Sequence, residues 1–135
     1  MGCLLSLKFA YSAEINLRIG DNIIRATVSD TSFSREMGLM KTSAICGNCG
    51  MLFVFPLPGR YRFWMRDTPL PLSIAFITAA GSILSIEEMQ AGSTAIHQAP
   101  TDIIYALEMN KGWFAEHAIK PFETLQGLSS APKGQ

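Results

Sequence analysis

Cys46-Gly-Asn-Cys49 is the pair of residues in this chain most suited to chemistry. Two thiols at this spacing can close a disulfide, exchange with another dithiol, or supply half of a tetrahedral metal site. In redox enzymes such a motif opens a helix, whose N-terminus lowers the thiol pKa. Here it lies between glycines and runs into the apolar text "GMLFVF", so that source of activation is missing. A zinc site needs further ligands, and only His97 and His117 are offered, both remote and at no ligand spacing. Cys46 and Cys49 therefore stay as candidates for soft-metal or thiol redox handling. The other reading is a surface loop, reduced in a reducing compartment and joined in an oxidising one. Thioethers also bind soft metals, and there are 7 methionines. Most stand within apolar patterns, where methionine is an adaptable core filler, and that is how they are read.

A second group is Trp64, Arg66, Asp67 and Thr68, in the stretch "RYRFWMRDTPLP". Trp gives a large amphipathic surface, Arg a bidentate fork for carboxylate or phosphate, and Thr a hydroxyl; together they are a candidate ligand wall. The competing reading is a strand end: Trp64 packs on the core, Arg66 faces solvent, and Asp67 caps the turn before Pro69. Arg60, Arg62 and Arg66 alternate with aromatics, as on single-strand nucleic-acid platforms. However, 11 basic residues balance 11 acidic ones, so no overall electrostatic footprint for a polyanion exists and no nucleic-acid partner is expected.

Arg35 and Glu108 are a third pair. Glu108 stands in "YALEM" on the strand face of Ile104 and Ala106, where an unpaired carboxylate is costly to bury. Arg35 precedes "GLM" on a short helix. The expectation is a partly buried ion pair tying that helix to the sheet, with a catalytic role as the alternative. His97, in the loop "STAIHQAP", is the candidate general base, although nothing in the sequence orients it. There is no G-x-S-x-G, no H-E-x-x-H, no phosphate-cradling glycine loop and no cofactor fingerprint. No cofactor is expected, and the chain reads as a non-enzyme unless dispersed residues assemble a site.

These residues must be positioned by one domain, since 135 residues is the size of a single core. The apolar content of 48% against 16% charged gives that core ample material. "EINLRI" and "IIRATV", around "GDN", alternate with period two and read as a hairpin from Glu14 to Val28. Asp30 or Thr31 can cap a short helix carrying Phe33 and Met37 on one face, with Gly38 as its stop. "MLFVF" reads as a strand buried on both faces and ended by Pro56; "PLPG" is a turn. In "RYRFWM", Tyr61, Phe63 and Met65 oppose Arg62 and Trp64. Pro69 and Pro71 cannot continue a ladder. "LSIAFIT" and "ILSIEEM" form a second hairpin, residues 90–102 a polar loop, and "IIYALEM" another strand. Asn110 can cap a helical turn holding Trp113 and His117, and "FETLQGL" can add a last strand. Seven or eight short strands with short connections predict a mainly β fold, an antiparallel β-sandwich or barrel with two short helical insertions. Residues 1–13 read as a targeting remnant or disordered start, 14–126 as the domain and 127–135 as a flexible tail. Gly2, Cys3 and Ser6 also fit a lipidation pattern. No apolar run reaches the roughly 18 residues of a membrane span.

"TSFSREMGLM", "GMLFVF", "FWMRDTPLPLSIAFI" and "YALEMNKGWFAEHAIKP", in this order and spacing, resemble DUF family 192, a bacterial and archaeal family of unknown function. The resemblance covers about Ile15 to Leu125. It implies a compact mainly β domain, often placed behind a signal peptide or membrane anchor, and it implies no activity. It favours a periplasmic or exported location, with a cytoplasmic one if no signal precedes Met1. It also implies a basic and an acidic residue at Arg35 and Glu108. The family usually has Asn where this chain has Asp67, and a polar acidic loop where it has "AICGNCG".

The leading expectation is an accessory module that binds a small molecule or protein through Trp64, Arg66, Asp67 and Thr68, with Arg35 and Glu108 holding that region. A small hydrolase or lyase using His97 or Glu108 with Asp67 is the alternative, and handling of a soft metal or of thiols through Cys46 and Cys49 a second. A cleft holding His97 beside a carboxylate favours the enzyme. Ligand and oligomeric state are not legible.

Overall fold

The computed structural model describes residues 12–135, so the readings placed on residues 1–11, the targeting remnant and the lipidation pattern, lie outside the described residues. Eight strands and two short helices follow in the order β1 (Glu14–Ile19), β2 (Asn22–Ser29), α1 (Ser32–Met37), β3 (Cys49–Gly59), β4 (Arg62–Phe63), β5 (Leu72–Ile77), β6 (Ile83–Met89), β7 (His97–Gln98), β8 (Ile103–Asn110) and α2 (Trp113–Glu116). Six strands make one sheet in the order β1-β2-β3-β8-β5-β6, while β4 and β7 form a separate two-stranded ribbon. The mainly β fold with two short helices is as expected. The sheet is open rather than closed into a barrel, and it is mixed: β2 and β3 run parallel, all other pairs antiparallel. The segment between β2 and β3, with α1 inside it, makes the crossover that a parallel pair requires.

Alternation along each strand divides the side chains between two faces. On the first, Leu17 lies across from Ile24, and Val28, Leu52, Leu107 and Ala75 lie in register from strand to strand. They are covered by Trp113, Phe114, Ile119 and Leu125 from the C-terminal third of the chain. On the second, Phe53, Ala106 and Phe76 lie in register and are covered by Phe63 and Met65. Phe63 packs edge-on to Phe53 at 5.1 Å and tilted on Phe76 at 5.9 Å. Such aromatic pairs add roughly 0.5–1.5 kcal/mol each beyond the area they bury. The ribbon thus roofs part of the second face.

Several local expectations shift. β3 does not stop at Pro56 but continues extended to Gly59, after its pairing with β8 breaks beyond Val54. This accommodates Pro56 and Pro58, which have no N–H to donate. The loop 90–102 contains β7. "FETLQGL" gives only isolated bridges, Thr124 to Ser82 and Gln126 to Arg18. α1 is capped by Thr31, whose hydroxyl accepts from the Ser34 N–H while Ser34 Oγ accepts from the Thr31 N–H, and it ends at Gly38. α2 starts at Gly112 (φ 84°) with no side-chain cap; Asn110 ends β8 and donates instead to the Cys46 carbonyl at 3.0 Å. Residues 127–135, read as a flexible tail, carry a 3-10 turn at Leu128–Ser130, and the Gln135 N–H donates to the Asp30 carbonyl. Among the described residues no helix is long and apolar enough to cross a membrane.

Candidate functional site

Glu108 lies at the centre of β8, directly across from Met51 of β3 and Ile74 of β5, so its side chain shares the second face with theirs. It is 4% exposed. The ion pairs among the described residues are Arg18–Asp21, Arg25–Glu14, Arg66–Asp67 and His97–Glu87, none involving Glu108. Among the described residues no polar side-chain atom sealed away from solvent lacks a partner. The unpaired carboxyl oxygens of Glu108 therefore open onto the cavity of about 300 Å³ that this residue lines. Burial pushes its carboxyl up from 4.5 to about 8. At neutral pH the group is a carboxylic acid, with one O–H to donate and a carbonyl oxygen to accept.

Three elements enclose the cavity. The sheet gives Phe53 and Phe55, α1 and the turn after it give Met37, Leu39 and Met40, and the ribbon with its following turn gives Phe63, Trp64, Met65 and Thr68. The walls are mainly apolar, with a charged fringe of Arg35, Glu36 and Arg62. Trp64 is 42% exposed at the mouth, while Met65 beside it is buried. This contrast follows from the alternation that began in β4. A shallower depression next to the mouth is lined by Arg62, Phe63, Trp64 and Ile96.

The two arginines of the fringe differ. Arg35 Nη1 donates to the carbonyls of Asp30 (2.8 Å) and Val54 (2.9 Å), and Nη2 to the backbone oxygen of Gln135 (2.7 Å). Its guanidinium also lies 5.2 Å from the Phe55 ring centre. The expected ion pair with Glu108 does not form. Arg35 does tie α1 to the sheet, but through backbone carbonyls, and the neutral acid offers it no charge. Arg62, in contrast, is exposed and enters none of the ion pairs of the described residues.

The proposed ligand wall divides. Trp64 and Thr68 line the cavity; Arg66 and Asp67 are exposed and turn away from it. Arg66 sits over the outer Trp64 ring at 5.5 Å and is 3.8 Å from Asp67. Asp67 has φ 54°, a left-handed conformation that Asn and Asp tolerate better than other side chains with a Cβ. That accounts for either residue at this position on conformational grounds. Thr68 is buried, with its N–H on the Met65 carbonyl and its hydroxyl on the Arg66 carbonyl, so it fixes the turn that presents Trp64.

His97 pairs with Phe63 in the ribbon, and its Nδ1 is 3.5 Å from Glu87 Oε1. A histidine beside a carboxylate does exist, but neither residue lines the cavity. Cys46 and Cys49 are joined in a disulfide. Its loop presents Asn48, whose Oδ1 accepts from Trp113 Nε1 at 3.1 Å, so it serves the first face and not the cavity. Among the described residues no group of three or more His, Cys, Asp and Glu is placed to hold a metal ion. Sequence reasoning missed most of the cavity walls: Met37, Met40, Phe53, Phe55 and Met65 carry the same apolar signal whether they fill a core or line a hollow. Arg62 stood only in a charge pattern.

The fold and site define a class: a single mainly β domain with a pocket between an open sheet, a short capped helix and a β-ribbon. The chain belongs to the DUF192 family, described as "Uncharacterized ACR", whose profile matches residues 15–127. No curated protein matches it. It is similar to the crystal structure of "a putative transcription regulator" from Sinorhizobium meliloti 1021, at 29% identity and a TM-score of 0.83, covering 86% of this chain and 95% of that one. It is also similar to a protein of unknown function from Novosphingobium aromaticivorans DSM 12444, at 25% identity and a TM-score of 0.79, covering 86% and 85%.

Proposed function

We propose that this protein is a binding module whose pocket receives a small molecule, or a single side chain of a partner, against Glu108. The observation that carries this reading is the carboxyl itself: it is buried, has no ion-pair partner among the described residues, and lines a hollow. An occupant that hydrogen-bonds to it gains a partner in a setting of low dielectric, where such a bond is stronger than in water. The size of the cavity, and its apolar walls joined by a handful of polar and charged groups, suit such an occupant. A hydrolase or lyase is less well supported, because His97 and Glu87 stand outside the pocket and Asp67 points away from it. The Cys46–Cys49 disulfide supports an oxidising compartment as the place of work.

The test is a fragment screen by protein-observed NMR. Binders should shift Met37, Met65, Trp64 and Glu108 together, and Trp64→Ala should weaken them about tenfold or more, while the half-exposed side chain contributes little to folding. A chemically diverse set that shifts none of these signals at millimolar concentration overturns the reading.

A further inference from the structure

The polar groups of the pocket are set at two depths. Glu108 is buried, Arg62 is exposed, and Met37, Met65 and Trp64 are apolar or aromatic members of the same lining. We propose that the occupant is an amphiphilic organic anion: a compact apolar body, a neutral hydrogen-bonding group set against Glu108 and a carboxylate set against Arg62. This rests on the reading of the cavity as a ligand site.

The charges favour an anion over a cation. The ionisable groups lining the pocket are Arg35 and Glu36 from α1, Arg62 from β4 and Glu108 from the sheet. Glu87 shares the Glu108 row beyond Ile74, but His97 holds it. With Glu108 protonated the lining carries one net positive charge, and such a field draws anions. A cation would have to ionise Glu108 against the burial that keeps it neutral. Two of the aromatic rings of the lining already carry a guanidinium, Phe55 that of Arg35 and Trp64 that of Arg66. Because Arg35 is committed to three backbone oxygens, Arg62 is the guanidinium of the lining left to meet a carboxylate. At the other end the acid offers both a donor and an acceptor, which matches a hydroxyl or an amide.

The experiment is calorimetric titration with para-hydroxyphenylacetate, which has a hydroxyl and a carboxylate at opposite ends of a ring. The controls are phenylacetate, lacking the hydroxyl, and para-hydroxyphenylacetamide, lacking the charge. The wild type should bind the first about tenfold more tightly than either control, one such contact being lost in each. Arg62→Gln should remove the preference for the carboxylate and leave the amide unaffected. Glu108→Gln, neutral with a donor and an acceptor, should bind para-hydroxyphenylacetate at neutral pH like the wild type, and should lose the wild-type decline in binding above about pH 8. Equal binding of the three compounds, or a carboxylate preference that survives Arg62→Gln, overturns the proposal while leaving the pocket a ligand site. So does failure of all three to bind while other fragments still do. If neither they nor the fragments bind, both readings fall.

Discussion

Arg35 and Glu108 line one cavity without forming an ion pair: the guanidinium is held by the backbone oxygens of Asp30, Val54 and Gln135, and the carboxyl has no charged partner among the described residues. Opposite charges this close in the fold invite the assumption of a salt bridge. Burial prevents it, because it keeps the acid neutral, and a neutral acid gives a guanidinium little reason to leave three backbone oxygens.

Glu108 should make the protein less stable as pH rises. Its folded value, about 8, stands above the 4.5 of the free group, so the folded state keeps a proton that the unfolded chain releases. Its contribution is complete below about pH 4.5 and is lost as pH rises through about 8. Between those limits the loss approaches about 1.4 kcal/mol per pH unit. Urea unfolding at pH 5, 6, 7 and 8 measures it, and Glu108→Gln should flatten the slope. An equal slope in both proteins would place the titration elsewhere.

Arg35→Met should destabilise the fold by about 2–4 kcal/mol, since hydrogen bonds from a charged donor are worth about 1.5–3 kcal/mol each and are not additive. Arg35→Lys should recover only part of this, because an ammonium cannot reproduce the planar fork. Hydrogen exchange at Asp30 to Gly38 should rise in step with the lost stability. Unchanged stability in Arg35→Met would mean that the three backbone oxygens are served equally well by water.

Gly50→Ala should be disruptive, although Gly50 lies within β3 and has no positive φ. An added Cβ would come within 2.5 Å of the Glu108 carbonyl oxygen and collide with the Met109 sulfur. Forcing β3 and β8 apart should cost about 1–3 kcal/mol or more and displace Glu108. Thermal unfolding reads the stability, and the Glu108 side-chain NMR signal reads the displacement.

Reduction of Cys46–Cys49 should lower stability only modestly. For so short a loop the chain-entropy estimate is about 2 kcal/mol. Asn48 would also be less firmly held against Trp113, so Trp113 indole exchange should quicken while the pocket signals stay in place. Movement of the pocket signals on adding dithiothreitol would contradict this separation.

Much of the fold could be read in the chain because its strands follow simple alternation. Leu17 against Arg18, or Phe63 against Trp64, announces its face directly, and Thr31 and Gly38 mark the ends of α1. What local pattern could not reveal was pairing across distance. The parallel join of β2 to β3 has no sequence signature of its own, and the extension of β3 through Pro56 and Pro58 looks like a turn until its far end is seen beside Ile103. Of the residues that line the cavity, Glu108, Arg35, Trp64 and Thr68 stood out in the sequence, because their side chains have polar atoms whose burial or exposure is informative. Arg66 and Asp67 neighbour Trp64 in sequence but do not line the cavity, because the turn that follows it has its own geometry, with Asp67 at φ 54°. Asn110 misled: a good capping residue stayed in the ladder because its amide had the Cys46 carbonyl to bind.

The crossover from β2 to β3 gives one wall of the pocket, while the register of the sheet is set by strands on either side of it. Selection can therefore lengthen, shorten or rewrite this one stretch of chain without disturbing the scaffold beneath. Across relatives, the taste of the pocket can drift far faster than its architecture, and a shared shape need not announce a shared cargo.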